Sequence, residues 1–240
     1  MRRLGIEPKK GLLLYGPPGC SKTLSAKAVA TEAGLNFIAV KGAELLSMYV
    51  GESERALREV FRKARAASPS IIFFDEIDAM GASSNATGQH GALNVLTTLL
   101  NELDGIELLK GVFVLAATNK PEVLDPALMR AGRLDTVLYV GLPDFEARQE
   151  ILQIRFRGMD VSEDVKIPEM ARVTQGYSGA ELVSICQKAG YAALEEQLEI
   201  GERQRIRRTH FDIALAGMVR TVTPEMTAKY EEWAARFKAS

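Results

Sequence analysis

The sequence predicts an α/β chain built on a mostly parallel, five-stranded sheet, followed by a small all-helical region. Three observations carry this. Five short apolar runs, at 12–15, 37–40, 71–74, 112–117 and 137–140, alternate with stretches of helical periodicity. A turn rich in Gly and Pro, Gly16-Pro17-Pro18-Gly19-Cys20-Ser21-Lys22-Thr23, joins the first run to the first helical stretch. After Leu142-Pro143-Asp144 the apolar runs stop and only helical patterns remain. Strands alternating with helices need crossover connections, and right-handed crossovers bring the loops leaving the strands to one sheet edge, where ligands bind.

Each element has its own reason. The glycine-rich turn opens a helix over 24–33. Residues 54–67 put Leu57, Val60, Phe61 and Ala64 on one face, and 92–104 do the same with Leu93, Leu96, Leu100 and Leu103 before the stop signal of Gly105. Beyond Pro143, helices are expected at 145–157 and 167–174, the latter closed by Gly176. Ser178 and Glu181 form a capping box that opens a helix to about Gln197. Another helix is expected at 210–219, and Thr223 with Pro224 starts the last. The basic run 203–208 reads as a solvated helix end, given the balanced charge. The expected division is 1–143 for the α/β part and 144–240 for the small helical part, hinged at Pro143.

Composition excludes several classes. The 240 residues are 47% hydrophobic and 25% charged, with a net charge of −1, so no global field draws the chain to nucleic acid. No apolar run reaches the roughly 18–20 residues of a membrane helix. Cys20 and Cys186 lie in different segments and suit a reduced compartment with no disulfide framework. Cys20 reads as a small filler rather than a nucleophile.

Four motifs carry chemistry. The turn at 16–23 nearly matches the phosphate-cradling pattern G-x-x-x-x-G-K-[ST]: inward N–H groups and a helix N-terminus favour phosphate, Lys22 reaches the β- and γ-phosphates, and the Thr23 hydroxyl suits Mg²⁺. Ser21 stands where the pattern has its second glycine. Next, Ile71-Ile72-Phe73-Phe74 ends in Asp75-Glu76, an acid for the metal's surroundings and an acid for a water proton; alone, the pair also fits a solvated turn. Third, Ala116-Ala117-Thr118-Asn119 ends a strand in an amide able to hold the lytic water or γ-phosphate, or merely a turn before Pro121. Fourth, Arg130 and Arg133 flank Gly132 and suit phosphate, their own or a neighbour's, or plain surface salt bridging.

In this order the motifs GPPGCSKT, FFDEID, AATN, LDPALMRAGRLD and GYSGAEL resemble the AAA ATPases, over essentially the whole chain. The resemblance implies a P-loop NTPase fold with a small C-terminal lid, and ATP hydrolysis in a homo-hexameric ring. ATP would lie between the large and small domains, contacted by Gly16 to Leu24. It implies the roles above for Lys22, Thr23, Asp75, Glu76 and Asn119, and makes Arg130 and Arg133 fingers acting in trans. Gly179 and Ala180 match the small-domain turn that approaches nucleotide, and Ile151 and Arg155 fall where the family packs adenine. The segment 41–54 resembles the family's pore loop, so Met48, Tyr49 and Val50 would grip a threaded polypeptide; by periodicity alone, Tyr49 and Val50 equally pack on the sheet.

Within the family the tract is most similar to the second ATPase domain of the valosin-containing protein group. GPPGCSKT, AGLNFIAVKG, NELDGIE and TPEMTAKYEEWA resemble its ribosome-biogenesis branch, which includes the spermatogenesis-associated ATPases. That branch releases a shuttling factor from cytoplasmic pre-60S particles. The sequence departs from the family where Ala131 replaces a usual Pro, and Thr136 and Lys120 replace usual Arg. It also lacks basic residues over 81–91. The family's preceding helix, first ATPase domain and N-domain are missing, so a parent of roughly 700–800 residues is expected, with weak assembly of this tract alone. Two other functions compete: a nucleotide-sensing assembly module with weak hydrolysis, motivated by Ser21, and the ATPase domain of a general protein segregase. A P-loop kinase or small GTPase fits poorly, because Asp75-Glu76 with a distant arginine pair is not their layout.

Overall fold

The computed structural model describes residues 9–46, 52–81, 90–105 and 111–239. The chain forms two compact units: residues 1–16, 22–140 and 233–240 make the first, and 17–21 with 141–232 the second.

Among the described residues the first unit holds five parallel strands, β1 (Gly11–Tyr15), β2 (Asn36–Lys41), β3 (Ser70–Asp75), β4 (Val112–Thr118) and β5 (Thr136–Tyr139), in the spatial order β2-β3-β4-β1-β5. Its helices are α1 (Lys22–Glu32), α2 (Gly42–Leu46), α3 (Glu52–Ala66), α4 (Asp78–Gly81) and α5 (His90–Asp104). The strands match the predicted runs to within about a residue at most ends, as buried strands do when side chains alternate between two covered faces. Leu13, Ile72, Phe74, Val114 and Ala116 point to one face, with Leu57 and Phe61 of α3 and Leu96, Leu99 and Leu103 of α5. Leu14, Ile71, Phe73, Leu115 and Ala117 point to the other, with Ala26 and Ala30 of α1. The face of α3 is the one its spacing gives, with Val60 partly buried. On α5, Val95 and Leu99 join Leu96 and Leu103 in the core, while Leu100 is only partly buried. β5 is an edge strand with Leu138 and Tyr139 exposed. The single tryptophan, Trp233, packs its ring 4.7 Å from Tyr15 and 5.6 Å from Phe237, joining the same unit.

The second unit contains α6 (Phe145–Phe156), α7 (Ile167–Val173), α8 (Gly179–Ile200), α9 (Arg208–Ala216) and the first part of α10 (Pro224–Ala239). Leu152, Met170, Leu182, Ile185, Cys186, Ala189 and Phe211 form its core. Burial pushes the Cys186 thiol up to about 11, so it stays protonated and packs as a small apolar residue.

The unit is helical, as expected, with one addition: Val161 and Ile206 form an isolated parallel bridge, with Ser162 N–H donating to Ile206 O (2.9 Å) and Ile206 N–H to Asp160 O (2.9 Å). One isolated bridge leaves no alternating pattern to read. The basic run is more than a helix end: it links α8 to α9, with Arg207 and Arg208 at the start of α9. Gly201, at φ 78°, stops α8, and Arg203, Arg205, Arg207 and Arg208 engage Asp160, Glu196, Glu169 and Asp212. Asp160, Glu169 and Glu196 lie on other segments, 11 residues away or more, so a local charge count does not find them; Asp212, four residues after Arg208 on α9, is the one local partner of the set. α9 begins two residues before the predicted His210 because that buried imidazole is its cap: Nδ1 accepts from Arg207 N–H (3.0 Å) and Nε2 lies 2.6 Å from Glu196.

The capping box opening α8 is present and extended. Glu181 accepts from Ser178 N–H and from Thr221 N–H, both at 2.6 Å, while Ser178 Oγ accepts from Glu181 N–H. Burial raises the Glu181 pKa, but those backbone donors outweigh it and the net shift is downward. A carboxylate depressed by folding contributes stability that is present above its unfolded value and lost as pH falls through its folded value. Glu181→Gln keeps one acceptor and turns an amide N–H toward the other donor. It should cost about 2 kcal/mol near neutral pH, shrinking below about pH 4 as the wild-type acid is protonated; thermal melts across pH check both.

Candidate functional site

The sheet order decides what the site contains. β4 lies between β1 and β3, with Tyr15 opposite Thr118 and Phe74 opposite Ala116. All strands run in one direction, so the exits of β1, β3 and β4 share an edge. The glycine-rich turn, the acidic pair and the Asn119 turn leave from those three ends.

In the first unit, the Lys22 ammonium is buried at 7% exposure and donates to Gly16 O (2.8 Å). A buried ammonium at the start of α1 supplies the positive field a phosphate needs. Next to it, Thr23 Oγ1 donates to Asp75 Oδ2 at 2.7 Å, tying the first turn of α1 to the end of β3 across a separation of 52 residues. Asp75 Oδ1 accepts from Glu76 N–H (3.1 Å). Leu24 is exposed on α1.

Asp75 and Thr23 offer two adjacent hard oxygens. Among the described residues no group of three or more His, Cys, Asp or Glu converges, so an ion here would complete its shell with phosphate oxygens and water. That donor set fits Mg²⁺, which dehydrates reluctantly and is held by one or two protein oxygens plus substrate.

Glu76 is exposed and has φ 52°, a left-handed backbone at a non-glycine residue. Gly42, first residue of α2, lies against this turn: a Cβ there would sit 2.4 Å from Glu76 O. Asn119 is half-buried, one residue past β4.

The two arginines are placed differently. Arg133 donates from Nε and Nη2 to Asp104 (2.6 and 2.5 Å) and from Nη1 to Ala127 O (2.5 Å), with its side chain 13% exposed. The guanidinium hydrogen bond, ahead of burial, holds the Asp104 carboxyl below its usual range. Arg130 is exposed. Salt bridging, one of the readings left open by the sequence, thus describes Arg133 in its own chain, while Arg130 presents its side chain to solvent.

In the second unit, the tip of the glycine-rich turn meets the start of α8. Ala180 N–H donates to Gly19 O (3.1 Å). A Cβ on Gly179 would lie 3.4 Å from Ser21 Oγ, 3.5 Å from Gly19 O and 3.8 Å from Ile151 Cδ1, so Ser21, Gly179, Ala180 and Ile151 are brought together. Ser21 has φ 66°, the conformation the missing glycine would have taken. Cys20 is buried, its Sγ 3.8 Å from Pro18 O, as expected of a filler. Pro17 precedes it in the turn. Arg155 is exposed on α6. Met48, Tyr49 and Val50 lie outside the described residues, as does most of the polar loop at 83–91.

Sequence reasoning missed Asp104, Gly42, Asp78 and the Thr118 hydroxyl as parts of the site. All four stood inside quoted motifs but without a task, because their partners are brought by tertiary folding.

A phosphate-binding turn, an acid-tipped strand and an intervening strand ending in a polar amide, all on one parallel edge, define a P-loop nucleoside triphosphatase. The family described as "ATPase family associated with various cellular activities (AAA)" matches residues 12–142, and "AAA+ lid domain" matches 164–212. The chain belongs to the AAA ATPase family. It is 55% identical over 239 residues to ATPase family gene 2 protein of Saccharomyces cerevisiae, covering 99% of this chain and 30% of that protein. It is 51% identical to ATPase family gene 2 protein homolog A of Homo sapiens (96% and 26% covered). With Cell division cycle protein 48 homolog of Archaeoglobus fulgidus it shares 47% identity (96% and 33% covered). The chain thus spans a third or less of the length of these relatives. No described helix is long and apolar enough to cross a membrane.

The arginine pair yields a prediction. Asp104 is 51% exposed, so solvent screening limits the pair's worth, and Arg133→Ala should cost about 1 kcal/mol in urea denaturation. Arg130→Ala, at an exposed position, should stay within about 0.5 kcal/mol of wild type. Equal losses would show that the two arginines are structurally equivalent.

Proposed function

We propose that this chain is the ATP-hydrolysing motor domain of a homo-hexameric protein-remodelling ATPase. Residues 1–143 serve as the nucleotide-binding subdomain and 144–240 as its lid. The observation that carries the reading is the Thr23–Asp75 hydrogen bond at 2.7 Å, which joins the phosphate turn to the acid-tipped strand.

The glycine-rich turn, Gly16 to Thr23, cradles the triphosphate, and Lys22 offsets charge on the β- and γ-phosphates. Thr23 and Asp75 would hold Mg²⁺, which would supply positive charge beside the phosphate oxygens. Glu76, exposed beside Asp75, takes the proton of the attacking water. Asn119 orients that water or the γ-phosphate. Arg130, exposed, reaches a neighbouring subunit's phosphate; Arg133, held by Asp104, supports the same turn. Ile151 and Arg155 serve the adenine side, with Gly179 and Ala180 at the turn that senses nucleotide. Met48, Tyr49 and Val50 grip a threaded polypeptide. The resemblance of GPPGCSKT, AGLNFIAVKG, NELDGIE and TPEMTAKYEEWA to the ribosome-biogenesis branch carries the reading on to cytoplasmic pre-60S ribosome maturation, extracting a shuttling factor. General protein segregation, the role of another branch of the family, is the alternative.

Glu76→Gln removes the base and leaves the phosphate contacts. In the full-length protein it should retain ATP affinity within about threefold and lower turnover by about 100-fold or more. Near-wild-type turnover would overturn the role of Glu76.

Ser21 favours a second reading, a nucleotide-sensing module with weak hydrolysis, because its side chain occupies a left-handed position in the phosphate turn. Ser21→Gly relieves about 1 kcal/mol of strain and adds a similar cost in unfolded-chain entropy, so stability should hardly change. The affinity for ATP or ADP should change; identical dissociation constants, by titration with a fluorescent nucleotide analogue, would remove Ser21 from the argument.

A further inference from the structure

We propose that Asp78 and Thr118 are positioning residues for Asn119, acting through one hydroxyl. The inference rests on the reading of Asn119 given above. Thr118, the last residue of β4, is 1% exposed. Its Oγ1 donates to Asp78 Oδ1 at 2.7 Å and accepts from Lys120 N–H at 2.9 Å. A threonine hydroxyl has one proton and two lone pairs, so the donation to Asp78 fixes its rotation and turns a lone pair toward the Lys120 N–H. The bond from residue 118 to the N–H of 120 is a side-chain-mimicked turn with Asn119 at its centre.

The main chain around Asn119 is thereby held from both sides. Before it, Thr118 is in register with Tyr15 of β1. After it, Lys120 is fixed by the hydroxyl and leads directly into the short 3-10 turn Pro121–Val123. Asp78 is held in turn, because it opens α4 just after Ile77, whose N–H donates to Ala117 O at 3.0 Å. Two hydrogen bonds therefore stitch the segment after β3 to the end of β4: Ile77 N–H to Ala117 O, and Thr118 Oγ1 to Asp78. Glu76 precedes the first by one residue and Asn119 follows the second by one. The stitch sets the proton acceptor and the amide on one frame.

A purely structural role for the pair would show as lost stability and nucleotide binding in parallel with turnover. A positioning role separates them, because a small misplacement of a polar group costs rate much more than affinity. The test uses the full-length protein and four variants: Thr118→Val, Thr118→Ser, Asp78→Asn and Asn119→Ala. Thr118→Val keeps the shape and removes both hydrogen bonds; Thr118→Ser and Asp78→Asn each keep a donor–acceptor pair. The positioning role expects Thr118→Val to lower kcat about 10- to 100-fold while the Kd for a fluorescent ATP analogue stays within about threefold. It expects Thr118→Ser and Asp78→Asn to recover most of that kcat. Wild-type kcat in Thr118→Val, or a kcat loss matched by loss of nucleotide affinity, overturns the proposal. If Thr118→Val does not fold, Asp78→Ala reads the same bond from the other side, with the same expected split between kcat and Kd. Asn119→Ala separates the two claims. Full turnover in Asn119→Ala overturns the reading of Asn119 itself, and the proposal with it; a slow Asn119→Ala beside a normal Thr118→Val overturns only the positioning role.

Discussion

The ladder of β4 with β1 on one side and β3 on the other is the constraint from which the site follows. Those three strands are parallel and in register from Gly11 to Tyr15, Ser70 to Phe74 and Val112 to Thr118. Parallel pairing aligns their exits. It also buries both faces of the sheet, so Leu13 and Leu14, or Phe73 and Phe74, must each find an apolar cover on opposite sides. The result is an edge on which backbone pairing sets the strand ends that lead to Lys22, Thr23, Asp75 and Asn119, with the Thr118 hydroxyl holding the turn at Asn119. A site carried by element ends in this way is held more closely than one carried by loops.

Much of this was legible. β1, β3 and β4 are legible as short apolar runs because strands buried on both faces need little polar alternation; β2 and β5, at the sheet edges, are apolar runs as well though partly exposed, and α3 is legible because its apolar face keeps helical spacing. The phosphate turn, Asp75-Glu76 and Asn119 were each found at the end of such a run. What escaped was tertiary. The pairing of Arg133 with Asp104 spans 29 residues and that of Thr118 with Asp78 spans 40, and no local pattern carries them. The bridge between Val161 and Ile206 escaped because one pair is too short for a period. The basic run 203–208 misled for a related reason: its counter-charges, Asp160 and Glu196 among them, are supplied by folding.

Two residues of the site carry left-handed backbone without being glycine, Ser21 at φ 66° and Glu76 at φ 52°. Such a position costs roughly 1–2 kcal/mol for an L-residue and persists only where the surroundings over-determine it. The surroundings of Glu76 do so. Its N–H donates to the Asp75 side chain, the next N–H is taken by Ala117 O, and Gly42 approaches its carbonyl so closely that any side chain there would collide. A glycine at 76 would remove the strain and the carboxylate together, so the strain accompanies a chemical group that must occupy that turn. Ser21 is different in kind. The phosphate turn needs only backbone at that position, and glycine would serve the geometry at no steric cost. The serine therefore adds something other than the turn: a hydroxyl against the start of α8, where Gly179 leaves room for it and Ala180 holds the neighbouring Gly19 carbonyl. Under the proposed function, Glu76 belongs to the hydrolytic step and Ser21 to the fit of the nucleotide.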